Sequence, residues 1–174
     1  IQRYEESLAF VGEDVREGNP SPGNKAGGIT TLEEKSLGCI HKGGTTTINE
    51  VYDYAQDVKA KGLVIMDTPG NDPSSVAGMV AGGAQIIVFS TGRGTPTGNP
   101  IAPVLKLTGN IETYKKMRDN IDMDCSGIIF GTKTLDELGN DLLGEVVEVA
   151  SGKLTKAEQL GYTEIAIMRA ANYV

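Results

Sequence analysis

The sequence predicts an α/β fold, Rossmann-like, with a mainly parallel sheet and helices on both faces. Two short apolar runs, residues 63–67 and 85–89, have the length and composition of buried strands. Between them, a segment of small residues that opens at Ser74 and reaches about Ala81 is typical of a helix. Strands that alternate with helices predict parallel pairing, because each helix carries the chain back to the same end of the sheet.

Hydrophobic spacing predicts further helices. Apolar side chains recur at helical intervals in residues 47–59, and Thr47 with Glu50 has the form of a capping box. Residues 111–118 have a helical pattern, and residues 135–149 combine an apolar stripe with an acidic outer face. These segments complete the helical part of the expected fold.

Weaker apolar runs predict three more strands, at residues 103–107, 127–130 and 164–168. Residues 18–31 are rich in Gly, Asn, Pro and Ser, which predicts a long ordered loop. Because the chain has no internal repeat and no long linker, residues 1–174 are expected to form a single domain.

The composition excludes several classes of protein. The formal net charge of −7 argues against a nucleic-acid partner, since a nucleic-acid surface needs a basic stripe. No apolar run approaches the roughly 20 residues of a transmembrane helix, so no membrane partner is expected. The polar start does not resemble a signal peptide, and Cys39 and Cys125 form no disulfide framework, which fits a cytoplasmic location. The chain lacks an initiator Met, so we expect it to be a piece of a longer protein.

Two polar, glycine-containing loops, residues 67–72 and 90–96, follow successive predicted strands. Ligands of parallel sheets lie beyond the carboxyl ends of the strands, so both loops are expected at one edge. Arg93 lies between two glycines, and its guanidinium is suited to binding a carboxylate through two hydrogen bonds. A surface arginine beside a turn is the alternative interpretation.

Neither of two glycine-rich segments completes a phosphate-binding motif. Residues 92–98 have the spacing G-x-G-x-x-x-G, with Pro96 where a dinucleotide-binding helix would begin. Residues 38–45 imitate a P-loop, but Gly44 stands where its lysine belongs. A nucleotide ligand is therefore not expected.

Three charged residues beside the long loop, Glu33, Glu34 and Lys35, could supply a metal ligand and a general base. A capping box of Thr30 with Glu33, or of Thr31 with Glu34, would instead explain the carboxylates as a helix start. The residues alone leave both interpretations open.

Two further carboxylates, Asp67 and Asp72, lie at a strand end and in the loop after it. Either could act on a ligand, or Asp67 could be a turn residue and Asp72 a helix cap. The single histidine, His41, and the cysteines, which lack a C-x-x-C context, are expected to be structural.

Long sequence runs resemble those of altronate and galactarate dehydratases. Residues 18–28 (GNPSPGNKAGG) resemble the family's G-N-P-x-P-G-N-K-x-G-G run, and residues 30–39 (TTLEEKSLGC) resemble the segment after it. Four shorter elements follow in the family's order: residues 69–72 (PGND), 91–96 (TGRGTP), 152–153 (GK) and 164–167 (EIAI). The resemblance covers nearly the whole chain from Asn19 onward.

The resemblance implies that residues 1–174 are the carboxy-terminal catalytic domain of a longer lyase whose amino-terminal part is missing here. Such an enzyme dehydrates a sugar acid to a 2-keto-3-deoxy acid with a divalent metal, iron(II) or manganese(II). Expected partners are the small-molecule substrate, an amino-terminal domain or a small subunit, and further copies in a homo-oligomer. The isolated chain is expected to fold without turning over substrate.

The chemistry of such a dehydration suggests roles for the polar residues of these loops. A base removes the proton α to a carboxylate, a cation stabilises the enediolate, and an acid helps hydroxide to leave. The catalytic candidates are Lys35, Glu34 and Arg93. The candidates for substrate binding are Asn24, Lys25, Asn71, Arg93 and Thr95, and those for metal binding are Glu33, Glu34 and Asp72.

Departures from the family pattern leave the substrate open. His41 stands where relatives often carry glutamine, residues 99–120 match poorly, and residues 122–127 resemble an Asp-containing motif only loosely. The large subunit of sulfolactate sulfo-lyase belongs to the same superfamily, so elimination of sulfite is one alternative. The other is a non-catalytic module that binds small acids.

Overall fold

The computed structural model describes residues 20–26 and 28–167, which fall into two compact units. The described part of the first unit is residues 20–54 and 58–69, without residue 27, and that of the second is residues 55–57 and 70–167. Both units contain helices and strands, and every strand pairing in them is parallel. The predicted α/β class with parallel strands is therefore confirmed.

The described part of the first unit contains two helices and two strands. Its elements are α1 (Pro22–Ala26), α2 (Leu32–Lys42), β1 (Ile48–Tyr52) and β2 (Leu63–Met66). The two strands pair from Ile48 opposite Leu63 to Tyr52 opposite Met66, with one irregularity after Ile48. The predicted strand at residues 63–67 is confirmed, whereas the predicted loop at residues 18–31 includes the short helix α1 in its described part.

The predicted helix at residues 47–59 is wrong, because this segment begins with strand β1. Its β-branched and aromatic side chains fit either periodicity, and pairing with β2 decides for the strand. Tyr52 is only 4% exposed, and its hydroxyl donates to Glu50 Oε2 at 2.8 Å. The same hydroxyl accepts from the backbone N–H groups of Lys59 and Ala60, at 3.2 and 2.9 Å. Tyr52 thereby holds the irregular segment that replaces the expected helix.

The second unit is built around a three-stranded sheet in the order β3-β4-β5. Its elements are α3 (Asp72–Ala81), β3 (Ile87–Ser90), β4 (Val104–Thr108), α4 (Ile111–Lys116), β5 (Met123–Asp124), α5 (Leu135–Ala150) and α6 (Lys156–Gln159). Val76 of α3 packs in the core with Ile87 and Val104. Five predicted elements of this unit are confirmed to within a few residues, namely α3, β3, β4, α4 and α5.

Two predicted strands are wrong. Residues 127–130 form turns in which the backbone N–H groups of Ile129 and Phe130 donate to the carbonyl of Ser126, so β5 precedes the predicted position. Residues 164–167 have no regular structure, and residue 168 lies outside the described part. The strands of the described residues form one sheet in each unit, where a single sheet was expected. Within the described ranges, no helix is both long and apolar enough to cross a membrane.

Candidate functional site

The loop that follows β3 in the second unit, residues 91–98, is held by contacts from its neighbours. The hydroxyl of Thr113 in α4 donates to the carbonyl of Gly92 at 2.7 Å, and the N–H of Gly94 donates to Thr91 Oγ1 at 3.0 Å. Gly94 has φ +88°, and a Cβ at this position would overlap the sulfur of Met117. Only glycine combines this conformation with this close approach, so the loop has one well-defined path.

Arg93 lies exposed on this loop. Within residues 20–26 and 28–167, no group accepts a hydrogen bond from its guanidinium and no carboxylate pairs with it. The loop backbone on either side is held by Thr113 and Thr91. An arginine of this kind has its planar set of donors available for a ligand carboxylate.

Asp72 and Thr95, one from each predicted site loop, come together in the second unit. Asp72 is half-buried at the first position of α3, and burial raises the pKa of its carboxyl above the ordinary value. The Thr95 hydroxyl interacts with that carboxyl and lowers its pKa in opposition to the burial. Thr95 is itself buried, and its hydroxyl shares a hydrogen bond of 2.7 Å with the hydroxyl of Thr97. The group formed is a carboxyl that retains its proton to a higher pH than usual.

Asn71, a predicted substrate-binding residue, caps helix α3. Its Oδ1 accepts from the backbone N–H of Ser74 at 3.2 Å and from the Ser74 hydroxyl at 3.0 Å. The helix cap proposed for Asp72 therefore belongs to its neighbour, which leaves the Asp72 carboxyl available for other interactions. A role of Asn71 toward substrate stays a prediction.

In the first unit, the predicted residues Asn24 and Lys35 contact each other. The Lys35 ammonium donates to Asn24 Oδ1 at 3.1 Å, and the Ser21 hydroxyl donates to the same oxygen at 3.1 Å. Lys25 lies one residue further along α1 and is exposed. The structure thus brings a predicted base and a predicted substrate-binding amide together, next to an exposed cation.

Glu34 takes part in capping α2. The hydroxyl of Thr31 accepts from the Glu34 N–H at 3.2 Å, while Glu34 Oε2 accepts from the N–H of Thr30 at 2.8 Å and from its hydroxyl. These hydrogen bonds hold the pKa of Glu34 below its ordinary value. A lowered pKa makes this carboxylate a weaker base. Glu33, beside it, is exposed.

The predicted metal ligands are divided between the units, Glu33 and Glu34 in the first and Asp72 in the second. In the ranges that the structure describes, no group of three or more His, Cys, Asp or Glu side chains could hold a metal ion. The expected iron(II) or manganese(II) ion and its ligands stay a prediction. His41 is exposed on α2, and the side chain of Cys39 lies outside the described part. Cys125 is a half-buried free thiol whose pKa is raised by burial, which does not favour a reactive thiolate.

Sequence reasoning missed Lys106, which lies on the central strand β4 and is 0% exposed. Its ammonium donates to the carbonyl of Thr97 at 2.8 Å, and the carbonyl of Pro96 lies at 3.5 Å. Burial lowers the pKa of this lysine, and the negative charge of Asp122 opposes that effect. The sequence did contain a sign of this role, namely a lysine within an apolar strand run. If such a strand is central, the buried ammonium must find a hydrogen-bond partner.

Comparison with known proteins gives consistent matches. Residues 1–173 match the family model described as D-galactarate/altronate dehydratase, C-terminal. The chain is 42% identical to altronate dehydratase of Escherichia coli (strain K12) over 151 residues, which is 87% of this chain and 30% of that protein. It is 37% identical over 163 residues to the galactarate dehydratase (L-threo-forming) of the same organism, covering 92% of this chain and 31% of that protein.

A third relative is named for a different activity. The (2R)-sulfolactate sulfo-lyase subunit beta of Chromohalobacter salexigens is 39% identical over 157 residues, covering 90% of this chain and 40% of that subunit. The chain spans 30% to 40% of the length of these curated relatives.

Proposed function

Because the chain belongs to the D-galactarate/altronate dehydratase family, as its C-terminal domain, we propose that it is the catalytic domain of a sugar-acid dehydratase. The reaction proposed is loss of water from a hexonate or hexarate to give a 2-keto-3-deoxy acid. The observation that carries the proposal is the position of Arg93, which is exposed and has no partner in the described residues. It lies on a loop that Thr113 holds in place, and the same loop brings the hydroxyl of Thr95 to the carboxyl of Asp72.

Arg93 is proposed to bind the substrate carboxylate. Two parallel N–H···O bonds from one guanidinium would set the orientation of the acid as well as its position. Since the contacts of Thr113 and Thr91 already hold the loop, little conformational entropy would be lost on binding. The sugar-acid carbon next to this carboxylate is the one that must lose a proton.

Asp72 is proposed to be the acid that assists the leaving hydroxide. A base removes the α proton, the electron pair forms a carbon–carbon double bond, and the β hydroxyl leaves as water with a proton from the acid. The enol then tautomerises to the 2-keto acid. A carboxyl whose pKa is raised by burial is protonated more readily than an exposed one, which favours the role of acid. The role of Asp72 as a metal ligand, which requires the ionised form, stays an alternative proposal.

The candidates of the first unit keep the roles that the sequence suggests for them, as separate proposals. Lys35, hydrogen-bonded to Asn24, is proposed as a base in its neutral amine form, and Lys25 and Asn24 are proposed to bind substrate oxygens. Glu34, with its lowered pKa, is less suited to be the base. Glu33 and Glu34 are proposed as ligands of an iron(II) or manganese(II) ion, with other ligands from outside the described residues. A bound cation would stabilise the enediolate charge, and the roles given to Arg93 and Asp72 do not depend on it.

Elimination of sulfite is the second candidate, and the relative named as a sulfo-lyase subunit favours it. Both reactions would share the removal of the α proton and the binding of the substrate carboxylate by Arg93. Sulfite, however, leaves with the carbon–sulfur electron pair and needs no proton from an acid. Loss of Asp72 should therefore harm a dehydratase far more than a sulfo-lyase.

The partners and location follow the same proposal. The chain spans 30% to 40% of the length of these relatives, so the active enzyme is proposed to need an amino-terminal domain or a small subunit. A homo-oligomer in the cytoplasm is the proposed setting. The isolated domain is expected to fold and to lack turnover.

An assay on the full-length protein tests the function. Altronate, galactarate and sulfolactate would each be supplied with iron(II), manganese(II) or a chelator, while 2-keto-3-deoxy acid and sulfite are measured. Keto acid formed from a sugar acid supports the proposal. Sulfite release alone would establish the second candidate, and calorimetric binding without any product would establish the acid-binding module.

A further inference from the structure

We propose that Lys106 is a positioning residue that anchors the loop of residues 91–98 from its buried side and thereby sets Thr95 relative to Asp72. The proposal rests on the proposed function for its activity readout only. Its structural part concerns contacts within the second unit.

The buried environment of Lys106 is unusual for a lysine. The residue lies on β4, the central strand of the sheet, and is fully buried. In the described residues no carboxylate forms an ion pair with its ammonium. The nearby charge, Asp122, directs both carboxylate oxygens to backbone N–H groups, those of Lys106 and Lys156. The ammonium instead donates to the carbonyl of Thr97 at 2.8 Å.

Such an arrangement is costly for packing alone. A buried ammonium loses its hydration, and backbone carbonyls compensate for that loss only in part. Methionine or leucine would fill a central strand position without this cost. The specific gain is that the ammonium of a residue on β4 binds the loop carbonyl of Thr97 and lies close to that of Pro96.

A short chain of contacts leads from Lys106 to the candidate site. The Thr97 hydroxyl shares a hydrogen bond of 2.7 Å with the Thr95 hydroxyl, and the Thr97 N–H lies 3.3 Å from Thr95 Oγ1. Thr95 in turn acts on the Asp72 carboxyl. If the Thr97 carbonyl no longer accepts from Lys106, we expect the Thr95 hydroxyl to shift away from the Asp72 carboxyl as well. The opposite end of the loop keeps its own anchor, Thr113 on Gly92.

The test uses Lys106→Met in the full-length enzyme, because methionine keeps much of the length and removes the donors. Lys115→Met is the matched control, since Lys115 is exposed and pairs with Glu112 of its own helix. Hydrogen exchange by mass spectrometry is compared for peptides covering residues 91–99 and residues 135–150. The expected result for Lys106→Met is exchange at least about tenfold faster in the loop peptide and unchanged in α5. Lys115→Met should alter neither.

Kinetics provide the second readout. Lys106→Met is expected to lower kcat by about tenfold or more with a smaller change in KM, because the acid is misplaced while Arg93 still binds carboxylate. Lys106→Arg, which retains charge and donors, should restore part of kcat. A lysine needed only for stability would lower the melting temperature and leave kcat of the folded fraction unchanged.

The outcomes separate this proposal from the proposed function. Unchanged loop exchange in Lys106→Met overturns the anchoring role whatever the activity, since exchange needs no substrate. A wild-type enzyme inactive on every acid overturns the proposed function and leaves the exchange result to decide the anchor. If Lys106→Met does not fold, Lys106→Gln, which is neutral and shorter, takes its place: faster exchange confined to residues 91–99 supports the proposal, and loop exchange identical to wild type overturns it.

Discussion

Asp122 and Lys106 exchange two hydrogen bonds on neighbouring chain segments. Asp122 Oδ2 accepts from the Lys106 N–H at 2.7 Å, and the Asp122 N–H donates to the Lys106 carbonyl at 2.9 Å. The other carboxylate oxygen accepts from the N–H of Lys156 at 2.7 Å, at the start of α6. The Asp122 side chain thereby binds both β4 and the start of α6, which lies 34 residues after Asp122 in the chain.

Replacing Asp122 by alanine should therefore destabilise the domain. Two buried or half-buried N–H groups lose a charged acceptor, and each such hydrogen bond is worth about 1.5 to 3 kcal/mol. Because some water will replace the carboxylate, we expect a loss of about 2 to 4 kcal/mol in the free energy of unfolding, measured by urea denaturation. Asp119→Ala, at an exposed position on the same stretch, should change it by less than about 0.5 kcal/mol. Equal effects of the two substitutions would contradict the joining role of Asp122.

Arg93→Lys should reduce activity without reducing stability. Lysine retains the charge but loses the planar pair of donors. We expect kcat/KM of the full-length enzyme to fall at least tenfold, which corresponds to a loss of about 2 kcal/mol, with the melting temperature nearly unchanged. Arg118→Lys is the control and should leave both quantities unchanged. Near-normal kcat/KM would remove Arg93 from the site.

Asp72 should determine the pH above which kcat declines. As the proposed acid it must be protonated, so kcat should decline as pH rises through its raised pKa. Since the Thr95 hydroxyl lowers that pKa, Thr95→Val should move the limit to higher pH. Asp72→Asn should lower kcat by about 100-fold or more and abolish the limit. A limit that stays in place in both variants would assign it to another group.

The same carboxyl has a consequence for stability. The folded-state pKa of Asp72 is raised above its unfolded value, so its contribution to stability is present at low pH and is lost as pH rises through the folded pKa. Asp72→Asn, which removes this titration, should reduce the loss of stability on going from acidic to neutral pH. Denaturation curves at a series of pH values would measure the difference.

Gly94 and Gly92 provide a matched pair of backbone substitutions. Gly94→Ala combines a strained φ of +88° with overlap on Met117, whereas an added Cβ at Gly92 meets no atom within 4 Å. We expect Gly94→Ala to lower the free energy of unfolding by about 1 to 3 kcal/mol, and Gly92→Ala to change it by less than about 1 kcal/mol. Thermal melting of both variants measures this, and the reverse order would contradict the described path of the loop.

Local sequence determined those elements whose pattern agrees with their tertiary surroundings. Residues 135–149 form α5 as predicted, because an apolar stripe, an acidic face and the Thr134–Glu137 capping box favour one structure. The runs at residues 63–67 and 85–89 form strands for a similar reason, since short β-branched runs have few alternatives. The family motifs likewise indicated the correct family, which the matched residues 1–173 confirm.

Tertiary structure alone decided the elements and contacts whose local pattern is ambiguous. Residues 48–52 fit a helix or a strand equally, and pairing with β2 selected the strand. Asp72 and Thr95 are 23 positions apart, and only the folded chain brings the buried hydroxyl to the half-buried carboxyl. Lys106 is visible in the sequence, but its role depends on β4 being the central strand of its sheet. That position buries the side chain and directs its ammonium to the carbonyl of Thr97 in the loop. Hydrogen bonding and burial between distant segments are properties of the packed chain, and no local periodicity encodes them.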